Sequence, residues 1–431
     1  MLLKLKKMFG TDLVKVSFLN GIATLLRMLT GFISIKIVAE LLKPPGIALL
    51  GQLQNFTTII MSISAGGINT GMTKHIAQYS DSEKKTRLFL STGFRITATL
   101  SIICGLVLIF GAGYFANSIL RSAEYKPIFY VFGGTLILYA FNAFLVAILN
   151  GFREFKKYVA VNIWGSIAGL LFTVILSISF GVMGALIALV TYQSAIFIVT
   201  IFMVTSSKWF KWQLFSGGFS KTAALRLGKY SLMALVSAIA VPTSQLLVRN
   251  YITTTTGQDG LTNAGIWEGM NRISNMYLMV ITTSLSVYYL PKLAGLKTKM
   301  EIRNEILTVY KLVVPFLIFC SLVIFLFRGT IINILFTENF QDMRGLFAFQ
   351  LMGDFFKMIT WVLGYVLLAK AMSRAYIIVE IVSCTLFVLF SMFFVDRYQA
   401  IGATMGYAAG FFAQFIIMLF VLRKILFTHA K

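Results

Sequence analysis

The stretch Gly265–Pro291, GIWEGMNRISNMYLMVITTSLSVYYLP, decides the fold. At helical rise it is long enough to cross a bilayer. Yet it carries Glu268 and Arg272 one turn apart. At helical spacing the series continues through Asn275, Thr282 and Ser286, which makes one polar stripe on an otherwise apolar rod. A charged side chain at the bilayer centre costs roughly 2.5–3.5 kcal/mol on insertion scales, so such residues face protein or a wet cavity rather than lipid. The plain alternative is that Glu268 and Arg272 only neutralise each other along the helix.

Composition extends this reading to the whole chain. Of 431 residues, 58% are hydrophobic and 12% charged, with mean hydropathy +0.84. A soluble domain carries about twice that share of charge, so the sequence predicts an all-α, polytopic membrane protein. The net charge of +23 does not indicate nucleic acid, because the basic residues are scattered over short loops, as the positive-inside rule requires. Cys104, Cys320 and Cys384 are odd in number, far apart and in apolar runs, so no disulfide or metal framework is expected. With His75 and His429 the only histidines, and no phosphate-cradling loop or hydrolytic triad, the reading expects no catalytic residue, metal site or cofactor. The basic N-terminus (MLLKLKKMFGTD) is read as leading into a retained first span rather than a cleaved signal.

Apolar runs of about 20 residues give twelve predicted spans, near 13–39, 46–69, 88–112, 127–150, 158–180, 184–206, 228–250, 264–290, 309–328, 345–369, 375–395 and 401–422. With the N-terminus inside, the cytoplasmic segments hold 24 Lys and Arg, and the opposite side holds 6: Lys43, Arg121, Lys126, Arg328, Arg344 and Arg397. That asymmetry predicts both termini in the cytoplasm. The external loops are short; the longest, near 328–344, has room for a helical turn or two.

The two halves look alike. Lys74 follows span two and Lys292 follows span eight (292 − 74 = 218). Gly151 opens the loop after span four and Ala369 the loop after span ten (369 − 151 = 218). The expected organisation is an N-terminal six-helix bundle (1–206), a cytoplasmic linker (207–229) and a C-terminal six-helix bundle (230–431), pseudo-symmetric about the membrane normal. Transporters of this kind bind substrate at the repeat interface. The linker, SKWFKWQLFSGGFSKTAALRLGK, is basic and aromatic and is expected to lie on the inner leaflet against acidic headgroups.

Other spans carry polar stripes as well. Span one shows Asn20, Thr24, Arg27, Gly31 and Ser34; span two shows Gln52, Asn55, Ser62, Gly66 and Asn69. Span seven has Gln245 and Arg249, with Pro242 as an expected kink. Span ten has Gln350, Asp354, Lys357, Trp361 and Gly364. Lys15, Lys36, Arg95 and Lys311 lie near span ends and are expected to snorkel. Arg27, Arg249, Arg272 and Lys357 are the cations left in the interior, against the acids Glu268 and Asp354. Helix–helix hydrogen bonding is the plain alternative for each. Together they make a positive interior, whose desolvation is offset only when an anion visits. Arginine forks suit phosphate oxygens, and Asn55, Asn275 and Gln350 suit sugar hydroxyls. Trp267 and Trp361 are read as interface anchors or as platforms for sugar rings. On residues alone the expectation is an anion-accepting transporter.

The runs GMTKHIAQY (71–79), NGFREF (150–155), LGKYSLMAL (227–235), GIWEGMNRIS (265–274), SVYYLPKLA (286–294) and MRGLFAFQLMGDFFKMITWVLGYVLLAKA (343–371) resemble the Wzx-type O-antigen and common-antigen (lipid III) flippases. These form the polysaccharide transporter family of the multidrug/oligosaccharidyl-lipid/polysaccharide (MOP) exporter superfamily. The resemblance covers essentially the whole chain. It implies a MATE-like, V-shaped pair of six-helix bundles in a bacterial inner membrane. It further implies an undecaprenyl-pyrophosphate-linked oligosaccharide as substrate, turned from the cytoplasmic to the periplasmic leaflet by alternating access. Arg27, Arg249, Arg272 and Lys357, with Asn55, Asn275 and Gln350, would line the path. Ion antiport is implied too, with Asp354 as the candidate titrating group and Glu268 as the second, although Glu268 stands where an amide is expected. Membrane lipid, a polysaccharide polymerase and a chain-length regulator are the implied partners. The rival readings are a drug exporter, which wants an acidic or apolar cavity, and a membrane-embedded glycosyltransferase, polymerase or ligase, which wants a large external loop.

Overall fold

The computed structural model describes residues 12–427, and the side chains of these except 12–20, 229, 230 and 287. The N-terminal basic run, the side chains of Lys15 and Asn20, and His429 lie outside the described residues. In chain order, α1 (Asp12–Ser64), α2 (Asn69–Tyr79), α3 (Glu83–Phe110), α4 (Ala112–Leu120), α5 (Lys126–Gly151) and α6 (Phe155–Thr205) precede the linker. After it come α7 (Lys221–Thr255), α8 (Gly260–Ser284), α9 (Leu290–Gly295), α10 (Lys299–Leu326), α11 (Arg328–Leu335), α12 (Phe347–Ala369), α13 (Ser373–Val421) and α14 (Arg423–Leu426). A π-helical turn, Leu285–Tyr289, joins α8 to α9. No strand occurs among the described residues.

Three long helices are each two rods meeting at one residue of positive φ. The breaks are Lys43 in α1 (φ 56°), Gly181 in α6 (φ 56°) and Gln399 in α13 (φ 49°). In α6 and α13 the chain turns straight back on itself. A methyl added at Gly169 would lie 3.2 Å from the Tyr192 ring, and the Phe387 and Tyr407 rings are 6.1 Å apart. Among the described residues, eight helices are long and apolar enough to cross a membrane. Three of these are the broken pairs, and α8, set apart by the polar residues that lower its hydropathy, completes twelve rods, six on each side of the linker in chain order. The chain is a multi-pass membrane protein.

The duplication is visible in backbone detail. The break at Gln399 follows that at Gly181 by 218 residues (399 − 181 = 218). Arg153 (φ 59°) and Ala371 (φ 51°) both take positive φ at the same offset (371 − 153 = 218). The α3 and α10 helices are each 28 residues long.

Two compact units result. The first holds the described residues up to Ser34 together with Leu53–Ile239. The second holds Ile35–Gln52 and the residues from Ala240 onward. The first unit has a core in which Met72, Ile76, Leu90, Phe144, Ile148 and Leu227 are buried together. The linker belongs to this unit and packs on it. Trp209 stacks on Phe152 at 4.1 Å, the Ser220 backbone N–H donates to Thr92 Oγ1, and Ser91 Oγ donates to the Gly218 carbonyl. In the second unit Tyr289, Leu293, Ile306, Leu317, Met358 and Val362 are buried together. Pro242 and Pro315 lie inside α7 and α10, each of which remains a single helix.

Candidate functional site

The second unit gathers the polar residues of three elements around α8. The approach is close because α8 presents glycine. A Cβ at Gly265 would meet the Pro44 carbonyl oxygen at 1.8 Å, and no side chain is tolerated there. One turn along α8, the Glu268 side chain lies against Gly51, whose added Cβ would sit 2.5 Å from Glu268 Cδ. The segment around Pro44–Gln52 thus lies directly on α8.

Glu268 sits between two arginines. Arg249 Nη2, from α7, donates to Glu268 Oε2 at 2.5 Å, and Arg272 Nε, one turn along α8, donates to Oε1 at 3.0 Å. The short turn between α7 and α8 folds them antiparallel and brings positions 249 and 268 level. Arg249 is 2% exposed. Its Nη1 donates to Gln52 Oε1 at 3.4 Å, and its guanidinium lies 5.4 Å from the Trp267 ring centre. Arg272 is only half-buried and commits Nε alone; its two Nη groups have no partner among the described residues. One carboxylate against two guanidiniums leaves a formal charge of +1, and the free fork has the planar two-donor geometry that suits phosphate oxygens.

Next along α8 is a second cluster. Asp354 of α12 is fully buried and accepts three hydroxyl hydrogen bonds. Ser274 donates to Oδ2 at 2.6 Å, Tyr277 to Oδ2 at 2.7 Å, and Tyr407 of α13 to Oδ1 at 2.8 Å. Gln350, also fully buried, donates to Ser274 Oγ at 3.1 Å. An ionised carboxylate accepts at about four positions, so three donors nearly saturate it. The Lys357 ammonium lies among rings, 5.5 Å from the centre of Trp361 and 5.7 Å from those of Tyr407 and Phe411. Tyr407 therefore touches both charged groups, through its hydroxyl on Asp354 and its ring face on Lys357.

The remaining predicted residues fall elsewhere. Asn275 is exposed on α8. In the first unit, Arg27 is exposed and its Nη2 donates to Asn162 Oδ1 at 3.3 Å. Also in that unit, Asn55 is half-buried, with Nδ2 unpartnered among the described residues. Trp267 is neither an anchor nor a sugar platform. It is 1% exposed, because the helix face carrying Glu268 is held inward by Arg249. Trp361 keeps 37% exposure. The sequence reading did not identify Ser274, Tyr277 and Tyr407 as partners of Asp354. The i, i+3 spacing of Ser274 and Tyr277 was an available signal; Tyr407, 53 residues beyond Asp354, gave none.

Three comparisons bear on this arrangement. The polysaccharide biosynthesis protein family matches residues 13–297. The lipid III flippases of Escherichia coli (strain K12) and Shigella flexneri are each 28% identical over 404 residues, spanning 94% of this chain and 96% of theirs. Among solved structures, an inward-facing multidrug resistance MATE family transporter of the MOP superfamily superposes with a TM-score of 0.78 at 15% identity, over 94% of this chain and 100% of that one. A MOP superfamily transporter from Pyrococcus furiosus, described by the reverse polarity of its binding pocket, gives 0.65 at 14% identity over 98% of both chains. At such identities the superpositions speak for the fold alone. That fold is all-α and MATE-like, as the resemblance implied, and the chain belongs to the polysaccharide biosynthesis protein family, within which it is similar to Wzx-type flippases.

Proposed function

We propose that this protein turns an undecaprenyl-pyrophosphate-linked oligosaccharide repeat unit from the cytoplasmic to the periplasmic leaflet of a bacterial inner membrane. Similarity to lipid III flippases along nearly the whole chain supports a substrate of common-antigen or O-antigen type. The activity is transport, not bond-making, and proceeds by alternating access. The lipid tail stays in the bilayer while the headgroup crosses on a polar path.

The observation that carries this reading is the open fork of Arg272 beside a carboxylate already neutralised by Arg249. Burying Arg249 against Glu268 leaves Arg272 available to a diphosphate. Arg27 and Lys357 supply further positive charge, and Asn55 and Asn275 supply amides for sugar hydroxyls, whereas Gln350, fully buried, holds Ser274 in place instead of meeting the headgroup. Asp354 is the ion-coupling group in this proposal, with Glu268 second. Both termini face the cytoplasm, as the distribution of Lys and Arg favours. A polysaccharide polymerase and a chain-length regulator receive the product on the far side.

The test is complementation of strains that lack a common-antigen or O-antigen flippase, with surface glycan measured at matched protein level. Arg272→Ala lowers surface glycan by about tenfold or more, the worth of one good charge-assisted contact, and Arg27→Ala adds to the loss. Full function in every single and paired variant overturns the reading.

A further inference from the structure

The first unit contains a feature that translocation of a headgroup does not use. Where the linker crosses α3, α5 and α6 there is a cavity of about 210 Å³ with no polar lining. Phe94, Phe141 and Phe197 line it from the helices, and Phe210, Trp212 and Phe215 line it from the linker. The depth is set by α5. Phe141 lies ten residues before the helix end at Gly151, about 15 Å at helical rise. That is about half the hydrocarbon thickness of a bilayer. The slot therefore runs from the level of the linker toward the bilayer midplane, the depth of one leaflet.

The linker that lines it is cationic. Residues 207–229 contain five Lys and Arg and no Asp or Glu. Lys208, Lys211 and Lys221 are exposed, as is Arg87 on α3. The Arg87 Cγ lies 3.4 Å from where a Cβ on Gly217 would sit, so this guanidinium belongs to the linker's surroundings. Lys211 already pairs with Glu83 at 3.0 Å, which leaves Lys208, Lys221 and Arg87 as the surplus. An apolar slot one leaflet deep, lined in part by a cationic linker, has the chemistry that suits an anionic lipid: a hydrocarbon chain in the slot and a phosphate at the linker.

We propose that this slot binds one acyl chain of an anionic bilayer phospholipid, with its phosphate held at the linker by Lys208 and Arg87. The linker would then be a lipid-seated element of the first unit rather than a passive connection. The site is distinct from Arg272 and its neighbours, so its failure leaves the flippase reading untouched.

The experiment uses purified full-length protein in mild detergent, melted with added phosphatidylglycerol, phosphatidylcholine or undecaprenyl phosphate at equal mole ratio. Retained lipid is counted by native mass spectrometry. Phosphatidylglycerol is expected to raise Tm by about 3 °C more than phosphatidylcholine, with one molecule retained per chain. Ile201→Phe, which fills the slot from α6, removes both the extra shift and the retained lipid. Lys208→Gln with Arg87→Gln makes the two phospholipids equivalent. If Ile201→Phe lowers Tm in detergent alone, Val204→Met replaces it as the filling variant. Equal shifts for the two phospholipids in the parent protein, or retention of phosphatidylglycerol in a folded filling variant, overturn the proposal. A larger shift with undecaprenyl phosphate also overturns it and assigns the slot to a polyprenyl chain.

Discussion

Glu268 is the residue on which the second unit's charge balance turns. It is 7% exposed and holds two guanidiniums, one fully buried and one half-buried. Replacing it with Gln leaves Arg249 as a buried cation without a counter-charge, a loss of about 3–5 kcal/mol. We expect a clear drop in the Tm of the purified chain for Glu268→Gln, and recovery of most of it in the double variant Arg249→Met with Glu268→Leu. Asp354 behaves differently, because its partners are hydroxyls. Tyr407→Phe removes one donor of three and should cost about 1.5–3 kcal/mol, the range for a hydrogen bond to a charged group, read from the same melts. The pairing of Glu268 with Arg272 was legible as an i, i+4 spacing. That with Arg249 was not, since it requires knowing that α7 and α8 fold back across Gly257–Asp259. The burial of Trp267 was missed for the same reason: a tryptophan near a predicted span end looks like an anchor until the neighbouring helix is in place.

At the level of elements, close approach and chain reversal do the shaping. Gly265 lets α8 lie on the Pro44 carbonyl. Gly265→Ala forces the backbones apart and is expected to cut the level of folded protein in the membrane several-fold, measured by size-exclusion of a fluorescent fusion. The breaks at Gly181 and Gln399 occupy equivalent places in the two halves and share nearly the same backbone, φ 56° and ψ −133° against φ 49° and ψ −130°. Only glycine adopts that region without strain. Gln399→Gly should therefore stabilise the protein by about 1 kcal/mol, and Gly181→Gln should destabilise it by at least as much. Thermal melts decide both. The gaps between predicted spans bracket these breaks at 181–183 and 396–400. What hydropathy does not carry is that a single residue suffices for the reversal, so that α6 and α13 each read as one helix of about fifty residues.

For the molecule as a whole, twelve rods in two repeats follow from apolar run lengths and from the recurrent offset of 218. Orientation has its own test. In a cysteine-free background that replaces Cys104, Cys320 and Cys384, single cysteines at Asp259 and Asp342 should react with a membrane-impermeant maleimide in intact cells. Cysteines at Ser80 and Lys299 should react only after lysis. The opposite pattern reverses the topology. The composition of the second unit was beyond the reach of the repeat argument, which treats the halves as self-contained. Ile35–Gln52 leaves the first half to join the second unit, yet the equivalent stretch 218 residues later, 253–270, stays in the second unit as well.

That borrowed segment sets a timetable for biogenesis. Gln52 leaves the ribosome 197 residues ahead of Arg249, a delay of roughly 10–40 s at ordinary elongation rates. Throughout that interval the early piece is parked in the insertion machinery or the lipid without the neighbour it was made for. A gene cut at the linker would produce a downstream fragment with a vacancy where Ile35–Gln52 belongs, rescued only when its upstream counterpart is synthesised in the same cell.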